Sequence, residues 1–145
     1  KSEEFGVNEM RNYKLRYEDG KVIFSVTFSY PVGLTVEKII STIEEKSNGM
    51  EVKCVSHYTP VRFEKDSDMV RSLQNAYELV TGLDGTPVTT TGGTYAKLMP
   101  NIVPFGPSFP GQKGIGHLPN EWMKVEDLIS NAKIYGLGIY YLANI

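Results

Sequence analysis

The sequence predicts a small α+β chain, and three observations carry that prediction. Asp19-Gly20 joins two strand-like runs, 13–17 and 21–28; three later stretches place apolar residues at helical spacing; and another strand-like run, 51–58, follows the first of these helices. Strand, strand, helix, strand describes an antiparallel sheet with a helix covering one face. A length of 145 residues fits one ordinary domain or two small lobes, and a hydrophobic fraction of 41% is enough for a core.

Asp-Gly favours a tight hairpin because both residues accept positive φ. In the second strand Val22, Phe24, Val26 and Phe28 share one face and Ile23, Ser25 and Thr27 the other, so one side of the hairpin is strongly apolar. Pro31 and Gly33 end it. Thr35 is the expected N-cap of a helix with Val36, Ile39, Ile40 and Ile43 along one stripe, stopped by Asn48-Gly49. Thr59-Pro60 and the charged run 62–68 mark a crossing, which places a boundary near Lys65 and divides the chain into 1–65 and 66–145.

Asp66 or Ser67 then caps an amphipathic helix carrying Met69, Val70, Leu73, Ala76, Tyr77 and Val80, ended by Thr81-Gly82. Between 83 and 119 the texture turns to Gly, Pro and Thr, with short strand candidates at 87–91 and 102–105. The last element, 125–143, is a helix opening on Glu126 and Asp127, where the helix dipole favours anions. Leu128, Ile129, Ala132, Tyr135, Leu137, Ile139, Tyr140 and Leu142 cover so much of its circumference that it is expected to be well buried.

A net charge of -2 provides no basic field for a phosphate backbone, so nucleic acid is not an expected partner. No apolar run approaches the ~20 residues that span a bilayer, so no membrane partner is expected either. The lone Cys54 cannot form an internal disulfide, which suits a cytoplasmic setting. The chain begins at Lys1 without methionine and reads as an excised or processed piece.

Few residues can carry chemistry. Cys54 and His57 sit three apart on an expected strand, which points them to opposite faces and prevents joint chelation; the expectation is a structural histidine and a small buried cysteine. His117 stands in the irregular stretch Gly114-Ile115-Gly116-His117-Leu118-Pro119-Asn120-Glu121, a setting where ligands and catalytic groups concentrate. No His-x-His, His-Glu-x-x-His or cysteine cluster accompanies it, so any metal on His117 takes its other ligands from elsewhere. Gly92-Gly93-Thr94 is either a plain tight turn or a cradle whose backbone N–H groups approach a ligand. It is neither a Walker loop nor a dinucleotide fingerprint, and no serine sits in a Gly-x-Ser-x-Gly elbow.

Taken in order, Tyr30-Pro31-Val32-Gly33, Asp66-Ser67-Asp68, Thr81-Gly82, Gly92-Gly93-Thr94-Tyr95-Ala96, Pro104-Phe105-Gly106-Pro107, His117-Leu118-Pro119-Asn120-Glu121 and Asp127-Leu128 form a series. From about residue 13 to 142 it closely resembles the C-terminal third of the dinuclear zinc dipeptidases, the Xaa-His dipeptidase or carnosinase-like relatives of aminoacylase and carboxypeptidase G. The resemblance implies a ferredoxin-like lid domain whose C-terminal part is 1–65 (hairpin, helix, strand), followed in 66–145 by the C-terminal segment of an α/β catalytic domain.

It also implies a cytoplasmic metallo-dipeptidase that hydrolyses short peptides with water activated between two zinc ions. His117 matches a zinc ligand, and Gly92, Gly93 and Thr94 match the lining of the substrate pocket. The general base and the remaining metal ligands belong to the missing N-terminal part of the same protein, so no catalytic residue is expected in this chain. One departure stands out: the family commonly has Arg-Tyr-Pro at the end of the lid strand, where arginine grips the substrate carboxylate, and this chain has Ser29-Tyr30-Pro31. A non-catalytic family member and an autonomous α+β ligand-binding module are the alternatives this leaves.

Overall fold

The computed structural model describes residues 7–90, 92–106, 109–112 and 115–145; Thr91, Pro107 and Gly114 of the motifs above lie outside them. The elements are β1 (Glu9–Glu18), β2 (Lys21–Ser29), α1 (Val36–Lys46), α2 (Asp68–Thr81), a short 3-10 turn (Tyr95–Lys97) and α3 (Val125–Leu142). The chain is thus a small α+β fold with a two-stranded antiparallel sheet. It divides into two compact units, Lys1–Arg62 with Thr89–Pro100, and Phe63–Val88 with Asn101–Ile145.

In the first unit the hairpin forms where its turn chemistry demands. Asp19 (φ 49°) and Gly20 (φ 77°) both take positive φ, the pair that a two-residue loop needs to match the strand twist, and Glu18 faces Lys21 across it. β1 starts four residues earlier than its sequence pattern suggested, because a bulge interrupts the alternation. Arg11 pairs with Thr27 and Lys14 with Ser25, so Asn12 and Tyr13 together stand against Val26. Asn12 absorbs the extra residue in the left-handed region at φ 55°, a conformation asparagine tolerates. Tyr13 then stacks on Phe24, ring centroids 6.1 Å apart.

α1 is capped as expected: the Thr35 hydroxyl accepts from the Lys38 amide at 3.3 Å. Its Ile39, Ile40 and Ile43 are only half-buried, and among the described residues no other helix or strand packs against it. The expectation that this helix covers the sheet is therefore corrected. Leu15 (71% exposed), Val22 (70%) and Phe24 (59%) leave the apolar hairpin face open. The expected strand 51–58 is also corrected to irregular chain. A strand exists through its ladder, and no neighbouring backbone edge is presented to this segment among the described residues.

In the second unit α2 and α3 pack together. The Ser67 hydroxyl caps α2 by accepting from the Val70 amide, and Gly82 (φ 67°) closes it with its N–H on the Glu78 carbonyl at 2.8 Å. Val70, Leu73, Ala76 and Ile134 form the core, with Ile134 fully enclosed. Gly138 lets the helices close: a methyl there would lie 3.3 Å from Leu73 Cδ2. Phe105 meets the Tyr135 ring edge-on at 5.9 Å.

α3 opens on Glu126 and Asp127, but the expectation that it is well buried is corrected. Leu128, Ile129, Ile139 and Tyr140 are all more than half exposed. Its apolar surface runs around the helix while its unit covers one side only. The strand candidates 87–91 and 102–105 are irregular chain over their described residues, again without a ladder partner. Among the described residues no helix is long and apolar enough to cross a membrane.

Candidate functional site

The Gly92-Gly93-Thr94 segment belongs to the first unit and leads into the 3-10 turn Tyr95–Lys97. Thr94 caps that turn, its hydroxyl accepting from the Ala96 amide at 3.2 Å while its carbonyl accepts from the Lys97 amide at 3.1 Å. Upstream, the Gly92 amide donates to Thr90 Oγ1 at 3.2 Å. Ala96 is the buried anchor of the turn, whereas Gly92, Gly93 and Thr94 face outward.

Neither glycine takes positive φ, and a methyl on Gly93 would meet nothing closer than the Lys97 ammonium nitrogen at 3.8 Å. The turn itself does not require glycine at 93. What the missing side chain leaves is an accessible stretch of backbone beside an open pocket of about 410 Å³, lined by Tyr58, Gly93, Thr94, Tyr95, Lys97 and Leu98. The glycine turn was legible in the sequence; Tyr58 and Lys97 were not singled out there. Lys97 could have been found only as a cation three residues after the turn's threonine.

His117 belongs to the second unit. It is exposed and sits in the left-handed region at φ 63°, as does Asn120 at φ 62°. For non-glycine residues such a backbone costs about 1 kcal/mol or more and persists where the surroundings impose it. Here the imposing contact is the Glu121 carboxylate, which folds back to accept from the His117 amide at 3.0 Å, while the Leu118 carbonyl accepts from the Glu121 amide at 3.2 Å. The imidazole is left without a hydrogen-bond partner among the described residues, which suits it to act as a ligand. A single histidine does not make a metal site: among the described residues no group of three or more His, Cys, Asp or Glu side chains could hold an ion.

The remaining candidates lie in the first unit. Cys54 is exposed, with its thiol 3.5 Å from the Ser56 carbonyl oxygen, which corrects the expected burial; without the strand 51–58 nothing folds it inward. His57 is paired with Tyr30, whose hydroxyl is hydrogen-bonded to His57 Nε2, and the two rings stack at 6.0 Å. The Tyr30 phenol is held above its ordinary pKa, first by desolvation and then by the negative charges of Glu37 and Cys54. Glu37 is held below the usual carboxylate range by its own backbone amide and the Thr35 hydroxyl, both of which donate to it. At the end of β2 the Arg11 guanidinium of the neighbouring strand donates to Ser29 Oγ.

The sequence over residues 2–139 matches the family described as Peptidase family M20/M25/M40. The chain belongs to this family. Its members are generally metal-dependent peptidases. Among relatives, it is 32% identical over 131 residues to a Bacillus subtilis (strain 168) protein named "Putative dipeptidase YtjP", covering 89% of this chain and 28% of that protein. It is 32% identical over 124 residues to the Beta-Ala-Xaa dipeptidase of Lactobacillus delbrueckii subsp. lactis, covering 85% of this chain and 26% of that one. The chain therefore spans about a quarter of the length of these relatives. No solved structure matches it at a significant level.

Proposed function

We propose that these residues are the C-terminal part of a zinc-dependent dipeptidase that acts in the cytoplasm and hydrolyses short peptides with metal-activated water. The observation that carries this reading is the family match over 2–139 together with the dipeptidase names of relatives at 32% identity. Residues 1–65 would complete a lid domain and 66–145 the closing segment of the catalytic domain, with the polypeptide upstream as their partner. The open apolar faces of the hairpin and of α3 support this, because each is a surface that further chain can cover.

His117 is the residue of this chain that would hold one of two zinc ions, through an imidazole that no described group occupies. Bound zinc polarises a scissile carbonyl and brings the pKa of a bound water down to about 7. The chain's own contribution is positional. The Glu121 carboxylate fixes the backbone that presents His117, and the exposed Gly92-Gly93-Thr94 stretch lets a peptide backbone lie close against main-chain N–H groups. The proton-shuttling carboxylate would come from the upstream part.

The test is His117→Ala in the intact polypeptide. Zinc content, measured by elemental analysis, should fall by about one of two equivalents. Dipeptide hydrolysis should fall more than about a hundredfold, beyond the cost typical of losing an outer-shell partner of a ligand. Unchanged zinc and unchanged hydrolysis would remove His117 from the metal centre. A wild-type protein that binds zinc and cleaves no member of a broad dipeptide panel would replace the peptidase reading with a non-catalytic one.

A further inference from the structure

We propose that Asn48-Gly49, the turn that stops α1, is a modification site, where Asn48 loses ammonia spontaneously and becomes a mixture of aspartate and isoaspartate. The reaction needs only water, and it holds or fails independently of the peptidase reading above.

The chemistry follows from what stands next to the asparagine. The Gly49 amide nitrogen, after losing its proton to a base in solvent, attacks Asn48 Cγ. The N–Cγ bond forms, the Cγ–Nδ2 bond breaks, and Nδ2 takes up a proton from water and leaves as ammonia. Water then opens the resulting succinimide ring. Addition at Cγ gives aspartate; addition at the main-chain carbonyl carbon gives isoaspartate, whose chain runs through Cβ and Cγ. Nothing is oxidised or reduced: water enters and ammonia leaves. Glycine matters because the ring closes on the nitrogen of the following residue, where any side chain would crowd the attack. Asn48 is the one asparagine of the chain that precedes glycine.

The fold leaves this pair open. Asn48 (φ 50°) and Gly49 (φ 88°) are the central residues of a turn in which the Met50 amide donates to the Ser47 carbonyl at 3.3 Å. That bond does not involve the Gly49 amide, and among the described residues no acceptor engages it. Both residues are exposed, and nothing lies within 4 Å of where a Gly49 side chain would begin, so water and base reach the site.

The chain carries its own controls. Asn12, Asn101 and Asn120 share the left-handed backbone and the exposure, but Tyr13, Ile102 and Glu121 follow them. At Asp84-Gly85 the attacking group is occupied: the Gly85 amide donates to Glu78 Oε1 at 3.0 Å, and the Asp84 carboxylate accepts from the Thr86 amide and hydroxyl. Asp19-Gly20 has the same pair of positive φ angles, but it is held between paired strands, and its carboxylate is a poorer target for a nucleophile than an amide. Either product at position 48 adds a negative charge just past the last turn of α1, close in sequence to Glu44 and Glu45. That is the negative end of the helix dipole, so conversion works against the helix end and records the protein's age as charge.

The experiment ages the intact polypeptide in mildly alkaline and in mildly acidic buffer and follows every asparagine by peptide mapping with mass spectrometry. The peptide carrying Asn48 should gain the mass of an OH exchanged for an NH2 about tenfold or more faster than any other asparagine peptide, a ratio that a small difference in barrier produces. It should resolve into aspartate and isoaspartate forms, and conversion should slow in acid, where less of the Gly49 amide is deprotonated. Gly49→Ala should slow it as well. Because alanine is strained at φ 88°, Asn48→Gln serves as the second variant: its longer side chain closes a larger ring slowly, and the acidic species seen on isoelectric focusing of aged protein should disappear. An Asn48 peptide that stays intact while other asparagines convert overturns the assignment. So does aspartate without isoaspartate, or acidic species that persist unchanged in Asn48→Gln.

Discussion

Phe63–Val88 and Asn101–Ile145 close Val70, Leu73, Ala76 and Ile134 into a core, whereas in the other unit Leu15, Tyr17, Val22 and Phe24, equally apolar, stay open to solvent. The contrast separates two ways in which a sequence holds its elements. The hairpin and α1 stand on local devices: the Asp19-Gly20 turn, the backbone ladder and the Thr35 cap. α2 and α3 use such devices as well, but they also interlock, with Gly138 allowing Leu73 to approach the partner helix. Local chemistry decides where an element forms; only packing decides whether its apolar face is dry.

That comparison can be broken most severely at Ile134. Ile134→Ala should lower unfolding stability of the 145-residue chain by about 2–5 kcal/mol in denaturant titration, the range for emptying a fully enclosed aliphatic site. Leu15→Ala, on the open hairpin face, should change it by under about 0.5 kcal/mol. Equal losses at the two positions would mean that the hairpin face is covered. A smaller effect is expected at the cap of α2, where Ser67→Ala should cost about 1 kcal/mol by the same measurement, because the Val70 amide loses its acceptor.

The smallest effect is a titration. Tyr30 ionises above its ordinary value through desolvation first and then through Glu37 and Cys54, so its neutral form is favoured by folding. The sign follows: this contribution is fully present below the unfolded phenol pKa of about 10 and is lost as pH rises through the higher folded value. Ultraviolet phenolate titration of wild type against Tyr30→Phe should show one phenol titrating late in the folded protein. If the difference curve follows an ordinary tyrosine, the partly desolvated setting of Tyr30 beside Glu37 and Cys54 does not persist in solution.

The elements that sequence made legible are those whose signals are short-ranged. Ser67 and Thr35 cap because a hydroxyl finds an amide three residues on, and Gly82 closes α2 with its own backbone; all three can be read from a few letters. The bulge at Asn12 could not be, because it depends on which residue of β2 stands opposite. The run 51–58 has a strand's composition and lacks a strand's partner, a property of the rest of the molecule. Of the candidate residues, His117 in one unit and Gly92-Gly93-Thr94 in the other were visible as motifs. The pocket was not, since Tyr58 joins Gly93 and Lys97 across more than thirty residues of chain and a lone lysine looks like any surface cation.

The extra residue in β1 also sets the phase of everything before it. With Asn12 in its left-handed conformation, Arg11 falls opposite Thr27 and Met10 opposite Phe28. A β-branched residue such as valine at position 12 would resist that backbone and push the ladder toward regular pairing. Counting back from Lys14 and Ser25 without the bulge, Arg11 would then meet Phe28 and Met10 would meet Ser29. One side chain's tolerance of an unusual torsion thus decides whether a guanidinium or a thioether is delivered to the end of the hairpin.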